Sequence, residues 1–422
     1  MLPLTMRHND RRCLFQQMVC PIMIVVLTIA LTAFSRGSFS VHLPEADMTA
    51  PEIITYYGYP VEHHTTITAD GYHLVLHRIP HGNKESNTTK NRRRPVVFLQ
   101  HGFVGSSAVW LMNPPSQSAG FVFADAGFDV WMGNTRGNTY SFKHNSLTRN
   151  DREYWKFTFD EVSYYDLEAM IDKVLNVTRQ THVYYVAHSE GCVLMLAKLS
   201  IDPIFSSKVA KFFALGPMTS MEHVRGIVPF FANNFGRLIK ALSRMRSEFL
   251  PNHSLLRKFG KFACSFWLTS KICDYCIFQS IGGQSNQTNQ TRMSVYLTHM
   301  PGGTSTANLV HWAQLTTTRR LRMYDFGSEY ANMQRYGTPV PPAYEFRNIS
   351  TPLYVYWSDA DWLTDPRDVK RSLLDEIRPE YLAENNRLDN FNHFDFIWGA
   401  QVVERIYKPI IQTIKLASDS FN

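Results

Sequence analysis

Short apolar, β-branched runs alternate along this chain with longer amphipathic ones, a pattern that predicts a mostly parallel sheet with flanking helical crossovers. Residues 95–100 read as a buried strand ending at His101-Gly102, and 128–132 as another ending at Gly133-Asn134. Residues 183–187 lead into a turn at Ser189, 211–215 end at Gly216-Pro217, and 353–357 end at Ser358-Asp359. Residues 159–177 and 191–199 read as helices, and Val402, Val403, Ile406, Ile410, Ile411 and Ile414 keep helical spacing near the C-terminus. From 218 to 344 the alternation stops and no clear strand is expected. Phe235, Leu238, Leu242, Phe262 and Trp267 there interleave with Arg237, Lys240, Arg244, Arg246 and Lys261, which reads as basic amphipathic helices. The chain therefore divides into an N-terminal segment (1–35), a core in two parts (41–217 and 345–422), and an inserted helical cap or lid (218–344).

The N-terminal segment changes how the charge is read. Arg7, Arg11 and Arg12 precede an apolar run from Met18 to Phe34, the order of a signal peptide, with small residues at Ala33 and Ser35 for cleavage. An uncleaved signal anchor is the alternative, because the run approaches the ~17–25 residues needed to span a bilayer. Residues 1–36 account for +3 of the formal +7, so the rest of the chain carries only +4, too little and too dispersed for a nucleic-acid partner. Contact with a membrane or lipid-droplet surface stays open. Sequons at Asn87, Asn176, Asn252, Asn286, Asn289 and Asn348 support entry to the secretory route, towards the extracellular space or the lysosome. Of six cysteines, Cys13 and Cys20 belong to the N-terminal segment, and Cys192 reads as a small buried hydrophobe. Cys264, Cys273 and Cys276 cannot all pair within one chain. A Cys264–Cys273 bridge would stabilise by about 2–3 kcal/mol, and a Cys273–Cys276 pair lacks the surroundings of a thioredoxin-type motif.

The turn Ala187-His188-Ser189-Glu190-Gly191 suggests chemistry. Small residues two positions either side of a serine permit a sharp strand-to-helix turn that exposes the hydroxyl, as in α/β-hydrolases. The spacing alone is weak; its place between a buried strand and an apolar helix makes it strong. Acyl-ester hydrolysis also needs a base, an orienting carboxylate and N–H donors for an oxyanion. The α/β-hydrolase chain order is serine, acid, histidine. Asp359, Asp361 and Asp365 follow the strand at 353–357, and His393 is the only histidine after position 312. The oxyanion donors are expected to be the backbone N–H groups of Phe103 and Glu190.

These residues sit in stretches that resemble the acid lipase family, which includes gastric and lysosomal acid lipases. The similarity runs from about Met48 to near the C-terminus. It includes Leu99-Gln100-His101-Gly102-Phe103, Gly133-Asn134-Thr135-Arg136-Gly137-Asn138-Thr139, Asp361-Trp362-Leu363-Thr364-Asp365-Pro366 and Asn392-His393-Phe394-Asp395-Phe396. The resemblance implies Ser189 as nucleophile, Asp361 as acid and His393 as base, and a Cys264–Cys273 bridge in the cap. It also implies hydrolysis of neutral lipid esters, triacylglycerol or sterol ester, at a lipid–water interface under a lid, with no metal or organic cofactor. Two residues depart from the family pattern: Ala187 stands for its usual Gly and Glu190 for its usual Gln. A carboxylate beside a developing oxyanion raises the barrier unless it points away or is protonated, so Glu190 is expected to shift activity towards acidic pH. A catalytically silent lipid-binding protein and an esterase for small soluble esters are the alternatives. N-terminal sequencing of the secreted product is expected to start near Arg36; a retained Met1 would identify an anchor.

Overall fold

The consecutive apolar runs become the middle of a sheet covered on both faces, the environment in which parallel strands lose polar–apolar alternation. The computed structural model describes residues 43–83, 93–229, 247–250 and 271–419. The apolar N-terminal segment, Asn87, Asn252, Cys264 and most of the basic stretch after Val228 lie outside the described residues. In chain order the long strands are β1 (Glu62–Ile67), β2 (Tyr72–Ile79), β3 (Val96–Gln100), β4 (Asp129–Met132), β5 (Val183–His188), β6 (Val209–Leu215), β7 (Leu353–Ser358) and β8 (Leu382–Leu388). Side by side they run β1-β2-β4-β3-β5-β6-β7-β8, with the two-residue strand Lys143–His144 added on β2. β2 runs antiparallel to both its neighbours, β1 and β4, and every adjacent pair from β4 to β8 is parallel.

Alternate residues of the central strands feed two cores. Val97, Leu99, Val130, Val186 and Phe213 pack on one face with α1 (Ala119–Asp125) and with Ile406, Ile410 and Ile414 of the C-terminal helix. Phe98, Trp131, Tyr185, Ala187 and Phe212 pack on the other with α2 (Leu167–Thr178) and α3 (Glu190–Ile201). The helix expected over 159–177 begins at a Thr158/Glu161 capping box and contains a π-helical turn, Val162–Asp166, before α2.

Three strands lie outside the apolar pattern for physical reasons. β1 and β8 are sheet edges with mostly half-buried or exposed residues, and β8 reads Leu-Ala-Glu-Asn-Asn-Arg-Leu. β2 is interrupted by His73, His77 and Arg78, whose polarity is satisfied within the fold. Arg78 forms a bidentate pair with Asp129 at 2.8 Å, and His77 Nδ1 lies 2.7 Å from Ser107 Oγ. Between β6 and β7 the described segment is mainly helical, with α4 (Met293–His299), α5 (Thr306–Gln314) and α6 (Glu329–Tyr336). A two-residue ladder, Glu248–Phe249 against Thr304–Ser305, is the strand pairing there that the sequence pattern does not announce. Among the described residues no helix is long and apolar enough to cross a membrane.

The loop after β4 is fixed by a buried cation. Arg136 donates to Asp166 through Nε at 2.7 Å and through its backbone N–H at 2.8 Å, and its terminal nitrogens reach Asp70 at 2.6 and 2.8 Å. Its guanidinium also lies 4.0 Å from the ring centre of Tyr72. Arg136→Met would leave the buried Asp166 carboxylate without a cation, and a loss of about 3–5 kcal/mol is expected in urea unfolding.

Candidate active site

Ser189, Asp361, His393 and the loop of Phe103 follow the C-terminal ends of parallel strands, where open α/β sheets place their ligand crevices. Ser189 follows β5 and precedes α3 with φ 55° and ψ −121°, a left-handed conformation costly for a residue with a Cβ. Its N–H donates to Leu215 O on β6 at 3.0 Å, tying the turn to the sheet. Two glycines allow the packing. A Cβ on Gly191 would lie 2.7 Å from both Gln100 O and His101 O, and one on Gly102 would lie 2.8 Å from Ser189 Cβ. Ala187, the departure before the nucleophile, lies wholly buried among the apolar residues of its face.

The structure brings Ser189, His393 and Asp361 together. Ser189 Oγ lies 2.8 Å from His393 Nε2, and His393 Nδ1 lies 2.9 Å from Asp361 Oδ2. All three are buried. The Asp361 carboxylate also accepts the Leu363 and Thr364 N–H groups, each at 2.9 Å, and the Thr364 hydroxyl. Its charge is therefore fully hydrogen-bonded while it faces the imidazole. Of the other two aspartates, Asp359 is exposed and pairs with Arg387, and Asp365 caps the helical turn Pro366–Val369 and pairs with Arg367 at 2.8 Å.

The loop after β3 borders the serine. His101 Nδ1 donates to Gly102 O at 2.8 Å, while its Nε2 accepts the Thr135 N–H at 3.3 Å. Burial pushes this imidazole down to about 4, so it stays neutral and can serve as donor on one side and acceptor on the other. Phe103 packs its ring between Phe249 and Trp312, with ring centres 6.1 and 6.5 Å away. The Glu190 N–H, in the first turn of α3, has no acceptor within its own helix. The Glu190 carboxyl turns towards α5, where Oε2 accepts from Asn308 Nδ2 at 2.9 Å and from Trp312 Nε1.

Several supporting residues carry no motif in the sequence. His188 Nε2 donates to the His393 carbonyl at 2.7 Å, fastening the loop of His393 to β5. Burial holds His188 well below its usual range and hence neutral. Met218 Sδ lies 3.2 Å from Ser189 Oγ. Arg225 donates to the Asp359 and Asp361 carbonyls at 2.7 and 2.8 Å. From the inserted segment, the single carbonyl of Gly282 accepts the N–H of His393 at 2.9 Å and of Trp362 at 3.1 Å. It thereby spans the acid and base loops. The adjacent pair Gly282-Gly283 was the available sequence clue.

Among the described residues, Glu222, His223 and Asp368 hold ligand-type atoms within 4.8 Å of one another. Arg371 already pairs with both carboxylates, which supplies the positive charge a cation would otherwise bring. Asn176, Asn286 and Asn348 are exposed, Asn289 is half-buried and caps the turn Gln290–Arg292, and Cys192 is a buried free thiol. Cys273 is disulfide-bonded.

Comparison with known proteins now bears on this geometry. A family model described as an alpha/beta hydrolase fold matches residues 95–400, and one described as a partial alpha/beta-hydrolase lipase region matches residues 50–114. The chain is 43% identical over 398 residues to Lipase lipl-1 of Caenorhabditis elegans, covering 93% of this chain and 97% of that one. The chain belongs to the acid lipase family of α/β-hydrolases. Among its relatives, human lysosomal acid lipase/cholesteryl ester hydrolase is 38% identical, with 93% of this chain and 98% of the relative covered. Bovine gastric triacylglycerol lipase is 37% identical, with 87% and 91% covered. The Ser189 turn depends on the loops that face it.

Gly283 tests that dependence. It has φ +108°, and a Cβ there would lie 2.0 Å from Ala360 O. Gly283→Ala is expected to push the inserted segment off the acid loop and lower kcat for a soluble ester by about 100-fold, the scale of a 1 Å misalignment. Steady-state kinetics checks this.

Proposed function

We propose that this protein is a lipase that hydrolyses carboxylic esters of neutral lipids through an acyl-enzyme at Ser189. The observation that carries the reading is the unbroken chain of contacts from Ser189 Oγ to His393 Nε2 at 2.8 Å and from His393 Nδ1 to Asp361 at 2.9 Å. In this mechanism His393 takes the Ser189 proton as the oxygen attacks the ester carbonyl, and Asp361 stabilises the imidazolium. The N–H groups of Phe103 and Glu190 receive the oxyanion. His393 then gives its proton to the departing alcohol, and the same groups activate water to release the fatty acid. The names of the relatives, a cholesteryl ester hydrolase and a triacylglycerol lipase, support sterol esters and triacylglycerol as the substrate class.

The segment 218–344 acts as the cap in this reading, covering the acyl site and meeting the lipid surface. Cys264 is the proposed partner of Cys273 within it. A secreted or lysosomal destination, with glycans at the six sequons, accords with the basic–apolar N-terminus and with the names of the relatives.

Ser189→Ala is expected to lower turnover of triacylglycerol and cholesteryl ester emulsions by at least about 1,000-fold while leaving thermal unfolding unchanged. A serine-reactive phosphonate should label the wild type at Ser189. Unlabelled, inactive wild type would instead identify a lipid-binding protein.

A further inference from the structure

The two residues given the oxyanion role share an unexpected neighbour. Trp312 of α5 packs its ring edge-on to Phe103, and its Nε1–H donates to Glu190 Oε2. One turn earlier on the same helix, Asn308 donates through Nδ2 to the same Glu190 oxygen at 2.9 Å, and its Oδ1 accepts the Phe159 N–H at 2.8 Å. The side chains flanking the oxyanion position therefore meet on one helix of the inserted segment, and Glu190 is the polar link.

Resting on the Ser189 hydrolase reading, we propose that the Glu190 side chain is a positioning residue that works as a neutral acid. It ties α5 to the nucleophile turn, keeps Phe103 and Glu190 in register, and lowers turnover when it ionises as pH rises.

Burial without a counter-charge favours the neutral form, and the hydrogen bonds are compatible with it: both N–H donors converge on Oε2, as the two lone pairs of a carbonyl oxygen allow. Among the described residues no cation pairs with this carboxyl. The titratable groups on the elements around it are His311 on α5, Asp160 and Glu161 on the turn after Thr158, and His188, His101 and His393 in the site. Burial keeps His311 and His101 neutral, each pushed down to about 4, and holds His188 well below its usual range. Burial likewise raises Asp160 to about 6 and raises Glu161. His311, His101 and His188 therefore bring no positive charge at neutral pH that would favour a carboxylate at Glu190. Burial accordingly pushes Glu190 up to about 7, against the two donors that pull it down. Ionised Glu190 would put a negative charge on the residue whose own N–H must receive the oxyanion, where electrostatic stabilisation counts most.

The linkage has a definite sign. Because the folded state holds this proton more tightly, stability contributed by neutral Glu190 is present below the ordinary value of 4.5 and is lost as pH rises to about 7. Full-length wild type, Glu190→Gln and Glu190→Ala are compared for kcat and KM on a short soluble ester, and for thermal midpoint, across about pH 4 to 9. In the wild type, kcat is expected to fall by about tenfold or more as pH passes the Glu190 ionisation. Glu190→Gln, with the same acceptor and no charge, should move that fall upward by at least about one pH unit. Glu190→Ala should raise KM and lower kcat already at acidic pH, and the glutamine should restore both towards the wild type. The wild-type midpoint should decline relative to that of Glu190→Gln across the same window. Coincident alkaline limbs in wild type and Glu190→Gln would overturn the proposal, whether or not the midpoints diverge. Loss of the Ser189 reading is separable, because it would appear as hydrolysis surviving Ser189→Ala, while the midpoint curves report Glu190 without any turnover.

Discussion

The left-handed backbone at Ser189 is the constraint on which the rest of the site depends. A serine at φ 55° costs about 1–3 kcal/mol, and it persists only because its surroundings permit no alternative. The Ser189 N–H is held by β6, Gly191 lies against the carbonyls of Gln100 and His101, and Gly102 lies against the serine itself. β3, β5, β6 and α3 thus meet within van der Waals distance at a single residue. The hydroxyl is aimed by the sheet rather than by its own rotamer preference, which keeps it within reach of a base on a distant loop.

His393 and Asp361 are positioned from outside the sheet as well as from within it. Asp361 and His393 leave β7 and β8 on separate loops, and a parallel sheet alone leaves such loops free to move. Arg225 grips the acid loop through two carbonyls, His188 grips the base loop, and the Gly282 carbonyl spans the two. Two of these three restraints, Arg225 and Gly282, come from the long connection between β6 and β7. This connection is therefore part of the frame of the site. α5 completes the arrangement by reaching the other side of the serine through Trp312 and Asn308.

Several polar groups around Ser189 and His393 are biased by burial towards their neutral forms. His101 and His188 each donate one hydrogen bond to a carbonyl, which a neutral imidazole does without the cost of a buried charge. Glu190 and Asp395 are carboxyls raised to about 7 by burial, and Asp395 sits two residues from His393. Arg136 provides the contrast, since its charge is retained at full burial by two carboxylates and an aromatic face.

Much of this was legible in the chain itself, because burial on both faces writes a strand as an unbroken apolar run and a sharp turn demands small residues beside Ser189. β3, β4, β5, β6 and β7, the C-terminal helix and the turn at Ser189 follow from those local requirements, while the order of serine, acid and histidine came from the α/β-hydrolase pattern. β1 and β8 did not announce themselves, since an edge strand exposes one side and tolerates Glu, Asn and Thr, and β2 hides its apolar residues among partnered His and Arg. The choice of Asp361 over Asp359 and Asp365 came in sequence terms only from family resemblance. In the fold it is a matter of reach, because the three carboxylates leave one loop in different directions. The direction of the Glu190 side chain was equally beyond the sequence. Whether a carboxyl beside an oxyanion is harmful or useful depends on Asn308 and Trp312, more than a hundred residues away, and only tertiary structure brings such partners within hydrogen-bond distance.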